Sequence, residues 1–189
     1  MHSKFVGYVL LVLMLMISVA NAAHQFFSVG SHEVEFNASL PEGIIKYWPM
    51  FKSGSISPGE YYTSYETWLA RSYNDSPFLI VEVRDFENSI HGDARTSEFD
   101  TLRRFYGEMV KNFTSKTKGG EEDPPVAFFT PNYEGQYVGV IMMWPSNQIE
   151  VLIIGTLPNL KSWKDIVRSV EFDGRILDYS KGLQKDFPV

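Results

Sequence analysis

The side chains with the richest chemistry in this sequence lie in one polar stretch. This stretch begins at Arg84 and contains Asp85, Glu87, His91 and Asp93. Carboxylates and an imidazole in one loop are able to bind a hard cation or to transfer protons. A solvated loop has the same composition and is the more ordinary interpretation. A hydrolase that uses Asp85, His91 and Asp93 is therefore kept as an alternative hypothesis.

The histidines do not add a recognisable catalytic or metal pattern. The chain has four of them, and none stands in an H-x-x-x-H or H-E-x-x-H spacing. We expect His24 to be mobile, because it falls at the expected start of the mature chain. The sequence contains no nucleophile elbow, phosphate-binding loop or dinucleotide fingerprint. It therefore predicts no catalytic residue, no metal site and no cofactor.

A dense group of aromatic residues is the second candidate for a function. Its members are Trp48, Tyr61, Tyr62, Tyr65, Trp68 and Tyr73. Buried, these rings would cover one face of a sheet, which is the more ordinary outcome. Exposed, they would form a recognition surface, because Tyr and Trp supply rigid anchors that dominate binding energy. On that interpretation the partner-binding residues are Tyr61, Tyr62, Tyr65 and Trp68, beside a Gly- and Pro-containing loop from Ser53 to Gly59.

The elements that must position these residues are clearest between Glu134 and Gly174. Two apolar runs, Tyr137 to Trp144 and Ile149 to Thr156, flank Pro145-Ser146-Asn147-Gln148, which is typical of a β-hairpin. Both runs are apolar on both faces, so we place these strands inside a sheet, with Gly139 as a bulge or a close approach. A helical stripe and a short strand follow the hairpin. The stripe consists of Leu160, Trp163, Ile166, Val167 and Val170.

The rest of the chain predicts further strands and one more helix. Strict alternation of apolar and polar residues predicts a half-buried strand from Ser31 to Ala38, and we pair it with a second strand from Ile44 to Trp48. The segment from Glu60 to Tyr73 fits a helix by spacing and a strand by composition, and it stays open. The other expected elements are a loop at Pro49–Gly59, strands at Phe78–Phe86 and Val126–Thr130, and a helix from Ser97 with a stripe ending at Phe113.

The first twenty-two residues are typical of a cleaved signal peptide. Lys4 precedes an uncharged apolar run, and Ala20-Asn21-Ala22 provides a small-residue cleavage site. We therefore expect export to the periplasm or outside the cell, without a stable membrane span after cleavage. Removing Lys4 changes the formal net charge from −6 to −7, which argues against nucleic acid as a partner. The chain has no cysteine, so we expect its stability to come from its core and not from disulfides.

The order of elements resembles that of Mog1/PsbP-like domains. The residues that carry the likeness are the Tyr-led hairpin closing at Pro158, the Trp163 helix with Ser169-Val170-Glu171-Phe172, and Glu35-Phe36 followed by Leu40-Pro41-Glu42-Gly43-Ile44. The resemblance implies an antiparallel sheet covered by helices in an α/β/α sandwich. It also implies accessory factors that bind partners, and it supplies no shared catalytic residues.

Together these features predict an α+β domain over residues 23–175, preceded by the signal peptide (1–22) and followed by a polar tail (176–189). We expect an exported, non-catalytic accessory domain that binds another exported or envelope protein. A small-molecule or lipid carrier and the hydrolase described above are the alternatives. Three N-glycosylation sequons, at Asn37, Asn74 and Asn112, matter only if the host is eukaryotic.

Export predicts a defined mature N-terminus. Because the A-x-A site ends at Ala22, N-terminal sequencing of the protein from its native host should read from Ala23 onwards. Recovery of the chain with Met1 retained, in the cytoplasm, would contradict the prediction.

Overall fold

The computed structural model describes residues 23–49, 51–90, 94, 95, 97 and 126–176. These residues form two antiparallel sheets and a helix, α1, at Leu160–Ser169. The strands are β1 Ala23–Val29, β2 His32–Ala38, β3 Ile45–Tyr47, β4 Lys52–Ser55, β5 Tyr61–Ala70, β6 Leu79–Phe86, β7 Val126–Pro131, β8 Tyr137–Met143, β9 Ile149–Leu157, β10 Glu171–Phe172 and β11 Arg175–Ile176.

The larger sheet has seven strands in the order β3-β5-β6-β9-β8-β7, with β4 also paired to β5. The predicted hairpin is confirmed as β8 and β9, and both of its strands lie inside the sheet. Of the two options predicted for Gly139, the bulge is wrong, because Gly139 pairs in continuous register with Phe129 on one side and Gly155 on the other. A glycine at this point brings the neighbouring strands together without a side chain between them.

The smaller sheet has the strand order β1-β2-β10-β11. The alternation predicted for β2 is confirmed, since Val34, Phe36 and Ala38 are buried. The sequence analysis missed β1, which pairs with β2 through seven residues on each strand. His24 therefore belongs to a strand, and its Nε2 lies 2.7 Å from a carboxylate oxygen of Glu35. The expectation that it is mobile is wrong, because a neighbouring strand fixes it.

The C-terminal strands are attached to β2 by the turn that joins them. Asp173 and Gly174 both have positive φ, 47° and 71°, as a two-residue hairpin turn requires. The Asp173 carboxylate accepts hydrogen bonds from the Glu33 backbone N–H (2.8 Å) and pairs with His32 Nδ1 (2.9 Å). Burial raises the pKa of Asp173, but these bonds and the charges of His32 and Arg175 outweigh it, so the pKa falls below its usual value. The charged form of Asp173 therefore favours this attachment.

The main core lies between the two sheets and beneath α1. It includes inward residues of β1 and β2, the apolar face of α1 and one face of the larger sheet. The helix begins where the Asn159 side chain accepts a hydrogen bond from the Ser162 N–H, at 2.9 Å. Trp163 is fully buried, and its indole N–H donates to the Tyr137 carbonyl at 2.9 Å. The helix thus reaches the sheet by both an apolar and a polar contact.

Two other predictions are corrected or decided by strand pairing. The strand at Ile45–Tyr47 exists, but it pairs with β5 and not with β2. The undecided segment Glu60–Tyr73 contains β5, a ten-residue strand. Its Tyr, Thr and Trp content agrees with a strand, and its neighbours on both sides supply the hydrogen bonds that a helix would have made internally.

The described fold is thus dominated by antiparallel sheets with a smaller helical part. On one face of the larger sheet the described cover is the smaller sheet and α1. The other face carries a second buried cluster that includes Met142, Trp144 and Leu152, packed with Ile90 and Ala94. Most of the helix predicted from Ser97 to Phe113 lies outside the described residues, as do residues 1–22 and 177–189. None of the helices in the described ranges has the length and apolar character needed to cross a membrane.

Truncation of Trp163 should destabilise the fold strongly. Trp163→Ala removes a fully buried indole beneath α1, and we expect a loss of ~3–5 kcal/mol in the free energy of unfolding. Denaturant titration monitored by circular dichroism measures this. Tyr133→Ala is the matched control, because Tyr133 is fully exposed on the β7–β8 turn and its loss should cost less than ~0.5 kcal/mol. Equal midpoints for the two variants would contradict the assignment of Trp163 to the core.

Candidate functional site

The four predicted recognition residues do not share one surface, because they alternate along β5. Neighbouring side chains of a strand point to opposite faces of its sheet. Tyr61 and Tyr65 point toward the face that holds the main core, whereas Tyr62 and Trp68 point toward the opposite face. A single partner surface therefore cannot consist of all four rings.

Tyr62 is half-buried and has a packing role. Its ring lies directly over Gly54 on β4, where an added Cβ would stand 2.5 Å from the ring. The guanidinium of Arg84 lies 4.8 Å from the ring centroid, and Phe86 packs at 5.2 Å. An aromatic ring that covers a glycine of the adjacent strand stabilises the strand pair by excluding water from its backbone.

Tyr65 connects the two sheets. Its ring covers Gly30 in the β1–β2 turn, where an added Cβ would lie 2.6 Å from the ring. On the solvent side it faces Phe51, with the two ring centroids 6.4 Å apart. One side of the Tyr65 ring thus packs on Gly30 of the smaller sheet, and the other side faces the exposed ring of Phe51.

Trp68 and Tyr61 complete the predicted set. The Trp68 indole N–H donates to the Glu66 carboxylate at 2.7 Å, and the same carboxylate binds the Lys52 ammonium at 2.9 Å. Tyr47 packs against Trp68 edge to face. Trp68 is therefore held from several sides, whereas Tyr61, opposite Ser55 at the start of β5, is about half exposed.

Two exposed aromatic residues that were not predicted as a pair lie instead at a bulge in the edge strand of the larger sheet. Tyr47 pairs with Trp68, and Lys52 pairs with Ser64. Between these two pairs the edge has four residues, 48–51, and β5 has three, 65–67. One extra residue reverses the side-chain alternation along the edge. Strands β3 and β4 thus both pair with β5, and their registers differ by one extra residue on the edge between them; we call this register shift the bulge.

The bulge brings Trp48 and Phe51 to the same side of the edge. Without the extra residue they would point to opposite faces, because their separation is odd. Trp48 is 64% exposed and Phe51 is 69% exposed, while Tyr65 lies behind them. Pro49, between them, is a residue that sheets accept at edges and bulges. We call Trp48, Phe51 and Tyr65 the aromatic edge.

Polar contacts to β1 fix the aromatic edge in place. The Trp48 indole N–H donates to the Ser28 carbonyl at 2.8 Å, and Thr67 Oγ1 donates to the same carbonyl at 3.0 Å. The Lys46 ammonium donates to the Phe26 carbonyl at 3.1 Å. Side chains of the larger sheet therefore bind carbonyls of β1, so the exposed indole has a defined orientation.

The sequence analysis weighed Trp48 but missed Phe51 as a candidate. Phe51 lies in the Pro49–Gly59 segment that was interpreted as a loop, and this segment contains β4. A signal was present, since Trp48-Pro49-Met50-Phe51 places aromatic residues on both sides of a proline. Its meaning depended on the register with β5, which the local sequence does not contain.

The rival charged loop is only partly described. Asp85 is an exposed residue next to the last residue of β6, and it lies opposite Thr63 and Ile149. His91 and Asp93 lie outside the described residues. Arg84, the neighbour of Asp85, points to the opposite face of the sheet and belongs to a different group of charges.

That group is a buried polar network on the sheet face opposite the main core. Arg84 donates to Glu82 (Nε–Oε1, 2.7 Å) and to Glu150 (Nη1–Oε1, 2.9 Å). Ser64 Oγ donates to Glu82 at 2.8 Å, and Trp144 Nε1 donates to Glu150 at 2.8 Å. Glu150 has no exposed surface, so its charge depends on these partners. The network was missed because its members are distant in sequence and meet only through strand register.

This arrangement favours a structural role for the network. A carboxylate that binds a guanidinium and a neutral donor is held in one orientation, whereas acid–base catalysis requires access to a substrate proton. Within the described ranges, no group of three or more His, Asp or Glu side chains is placed to hold a metal ion. Comparisons of the chain with protein-family models, curated proteins and solved structures find no match.

The contact of Tyr65 with Gly30 can be tested by a matched pair of substitutions. Gly30 and Gly43 both have positive φ, 64° and 71°, but the position of a Cβ is open at Gly43 and occupied by Tyr65 at Gly30. We expect Gly43→Ala to cost about 1 kcal/mol of stability through backbone strain alone. Gly30→Ala should cost about 1–3 kcal/mol more, because Tyr65 must move. Chemical denaturation measures both values.

The control for this prediction repeats both substitutions in a Tyr65→Ala background. There the two glycine changes should cost about the same, because the ring that distinguishes them is absent. If Gly30→Ala stays more costly without the tyrosine ring, another contact causes the difference.

Proposed function

We propose that this chain is an exported, non-catalytic accessory domain that binds another exported or envelope protein through its aromatic edge. The single observation that carries the proposal is the one-residue bulge, which presents Trp48 and Phe51 together on an exposed sheet edge. Bulges at sheet edges commonly redirect a side chain toward a site. Export is supported by the N-terminal apolar run and its A-x-A ending.

The aromatic edge has the properties of a binding anchor. Exposed aromatic residues contribute most strongly to protein interfaces when they are already ordered, because binding then costs less conformational entropy. Trp48 is ordered by its hydrogen bond to Ser28, and Phe51 rests against Tyr65. Tyr65 itself is fixed over Gly30. Trp48 and Phe51 are therefore held by residues of the smaller sheet, Ser28 through a hydrogen bond and Gly30 through Tyr65.

The proposal that the domain is non-catalytic is supported by the described carboxylates, which form ion pairs and hydrogen bonds with other side chains of the fold. Glu82 and Glu150 share Arg84 inside the fold, and Glu66 binds Lys52 and Trp68. These carboxylates are engaged with partners that fix the strands relative to one another. The exposed rings of Trp48 and Phe51 suit recognition and not proton transfer.

The finer architecture is also a proposal. We propose an α/β/α sandwich of the Mog1/PsbP-like kind, supported by the antiparallel order of the larger sheet and by α1 with Trp163 on one of its faces. The helix predicted from Ser97 would cover the second buried cluster. Residues 23–175 then form the binding domain.

The proposal predicts site-specific contact with a partner in the native exported fraction. A photo-crosslinking amino acid at Ser53, an exposed position of β4 beside the aromatic edge, should give a discrete protein adduct. Adding Trp48→Ala and Phe51→Ala should reduce that adduct by about tenfold or more, because two aromatic anchors are lost. Gel mobility and mass spectrometry detect the adduct.

Two controls accompany this experiment. The crosslinker at Tyr133, which is fully exposed on the β7–β8 turn, should not give the same adduct. Asp85→Asn should leave the adduct unchanged, because Asp85 lies outside the proposed surface. Identical adducts from Ser53 and Tyr133, or an adduct that survives the loss of both aromatic side chains, would contradict the proposed function.

A further inference from the structure

The charges around the aromatic edge differ from those of the whole chain. The chain has a formal net charge of −6, yet the segment 43–59, which contains β3, the bulge and β4, has two lysines and no Asp or Glu. Both lysines, Lys46 and Lys52, have exposed surface beside the aromatic residues. Because Lys52 is paired with Glu66, Lys46 is the charge of this segment that is placed to attract negative charge on an approaching molecule.

Lys46 is the more available of the two cations. Lys52 binds Glu66, whereas the contacts described for the Lys46 ammonium are the Phe26 carbonyl at 3.1 Å and the Phe27 ring, whose centroid lies at 4.5 Å. Neither contact carries a full negative charge. Partial burial lowers the pKa of Lys46 below its usual value. A carboxylate placed here would form a charge-assisted hydrogen bond with the ammonium.

The main chain of the edge restricts the class of partner. Strands β3 and β4 form one border of the larger sheet, and within the described residues no strand lies beyond them. The side chains of Lys52, Ser53 and Ser55 along this border are exposed. An extended polypeptide has main-chain groups at the spacing that such a border presents, and it places alternate side chains on one face. A glycan or a lipid lacks that repeating donor and acceptor pattern.

We propose that the partner is an extended acidic polypeptide segment that adds as a strand along β4. Its apolar side chain packs between Trp48 and Phe51, and a carboxylate two residues away, on the same face of the added strand, binds Lys46. This inference rests on the proposed function, because it names the partner of the same aromatic edge. The bulge limits the new pairing to a few residues, so the side-chain contacts set its specificity.

Three synthetic peptides of equal length test the inference by titration into the isotope-labelled mature chain, followed by NMR. The first carries valine and glutamate two residues apart on one face, with serine at the positions between them, and the second has lysine in place of glutamate. The third is the glutamate peptide with alternate backbone nitrogens methylated. The first peptide should shift the amide signals of β4 and of Lys46 and should bind about tenfold more tightly than the other two, because only it offers both carboxylates and main-chain donors.

Substitution of Lys46 gives the site-specific arm. Lys46→Gln should weaken binding of the acidic peptide about tenfold, and Lys161→Gln, on the exposed side of α1, should leave it unchanged. Circular dichroism checks that both variants are folded. Higher salt should weaken binding of the acidic peptide and have little effect on the residual binding of the Lys46→Gln variant.

The outcomes separate this inference from the proposed function. Equal affinity for the methylated peptide would overturn strand addition, and equal affinity for the lysine peptide would overturn the acidic partner. Failure of all three peptides, while the Ser53 adduct still depends on Trp48 and Phe51, would overturn the inference and leave the proposed function in place. An adduct that does not depend on those residues would overturn the proposed function itself.

Discussion

The carbonyl of Ser28 is the point at which side chains of the larger sheet bind the edge of the smaller one. It lies on the free side of β1 and accepts hydrogen bonds from Trp48 and Thr67 of the larger sheet. An edge strand whose carbonyls bind side chains is less available for pairing with another chain. The same bonds add polar contacts between the two sheets beside their shared apolar core. The Ser28 carbonyl thus protects the free edge of β1 and also orients the exposed indole of Trp48.

The features of the fold that were predictable from the sequence are those encoded locally. The alternation in β2, the doubly apolar runs of β8 and β9, and the stripe of α1 each follow from a period that a short segment contains. The partner of β3 was not predictable, because β3 pairs with β5 across a connection of varied composition. Nor was β1, whose outward residues are a mixture of polar and aromatic types.

The candidate site was less predictable than the fold, because its geometry depends on strand register. The aromatic composition of residues 47–73 indicated that this region is unusual, but composition does not say which rings share a face. Tyr62 and Tyr65 cover glycines on different neighbours, and one extra residue in the edge strand aligns Trp48 with Phe51. A shift of one residue reverses every side chain beyond it, so local sequence alone could not distinguish the packing rings from the exposed ones.

The buried charges and the exposed rings are linked by the strand that both use. On β5, Ser64 and Glu66 bind the polar groups of one sheet face, while Tyr65 between them supports Phe51 on the other. A buried ionic network tolerates little sliding, because a displaced strand would leave a charge without its partner. The ion pair of Arg84 with Glu150 holds β6 against β9, and the hydrogen bond from Ser64 to Glu82 connects β5 to this pair of strands. The buried polar groups on one face of β5 therefore support the register that places Tyr65 behind Phe51 on the other face.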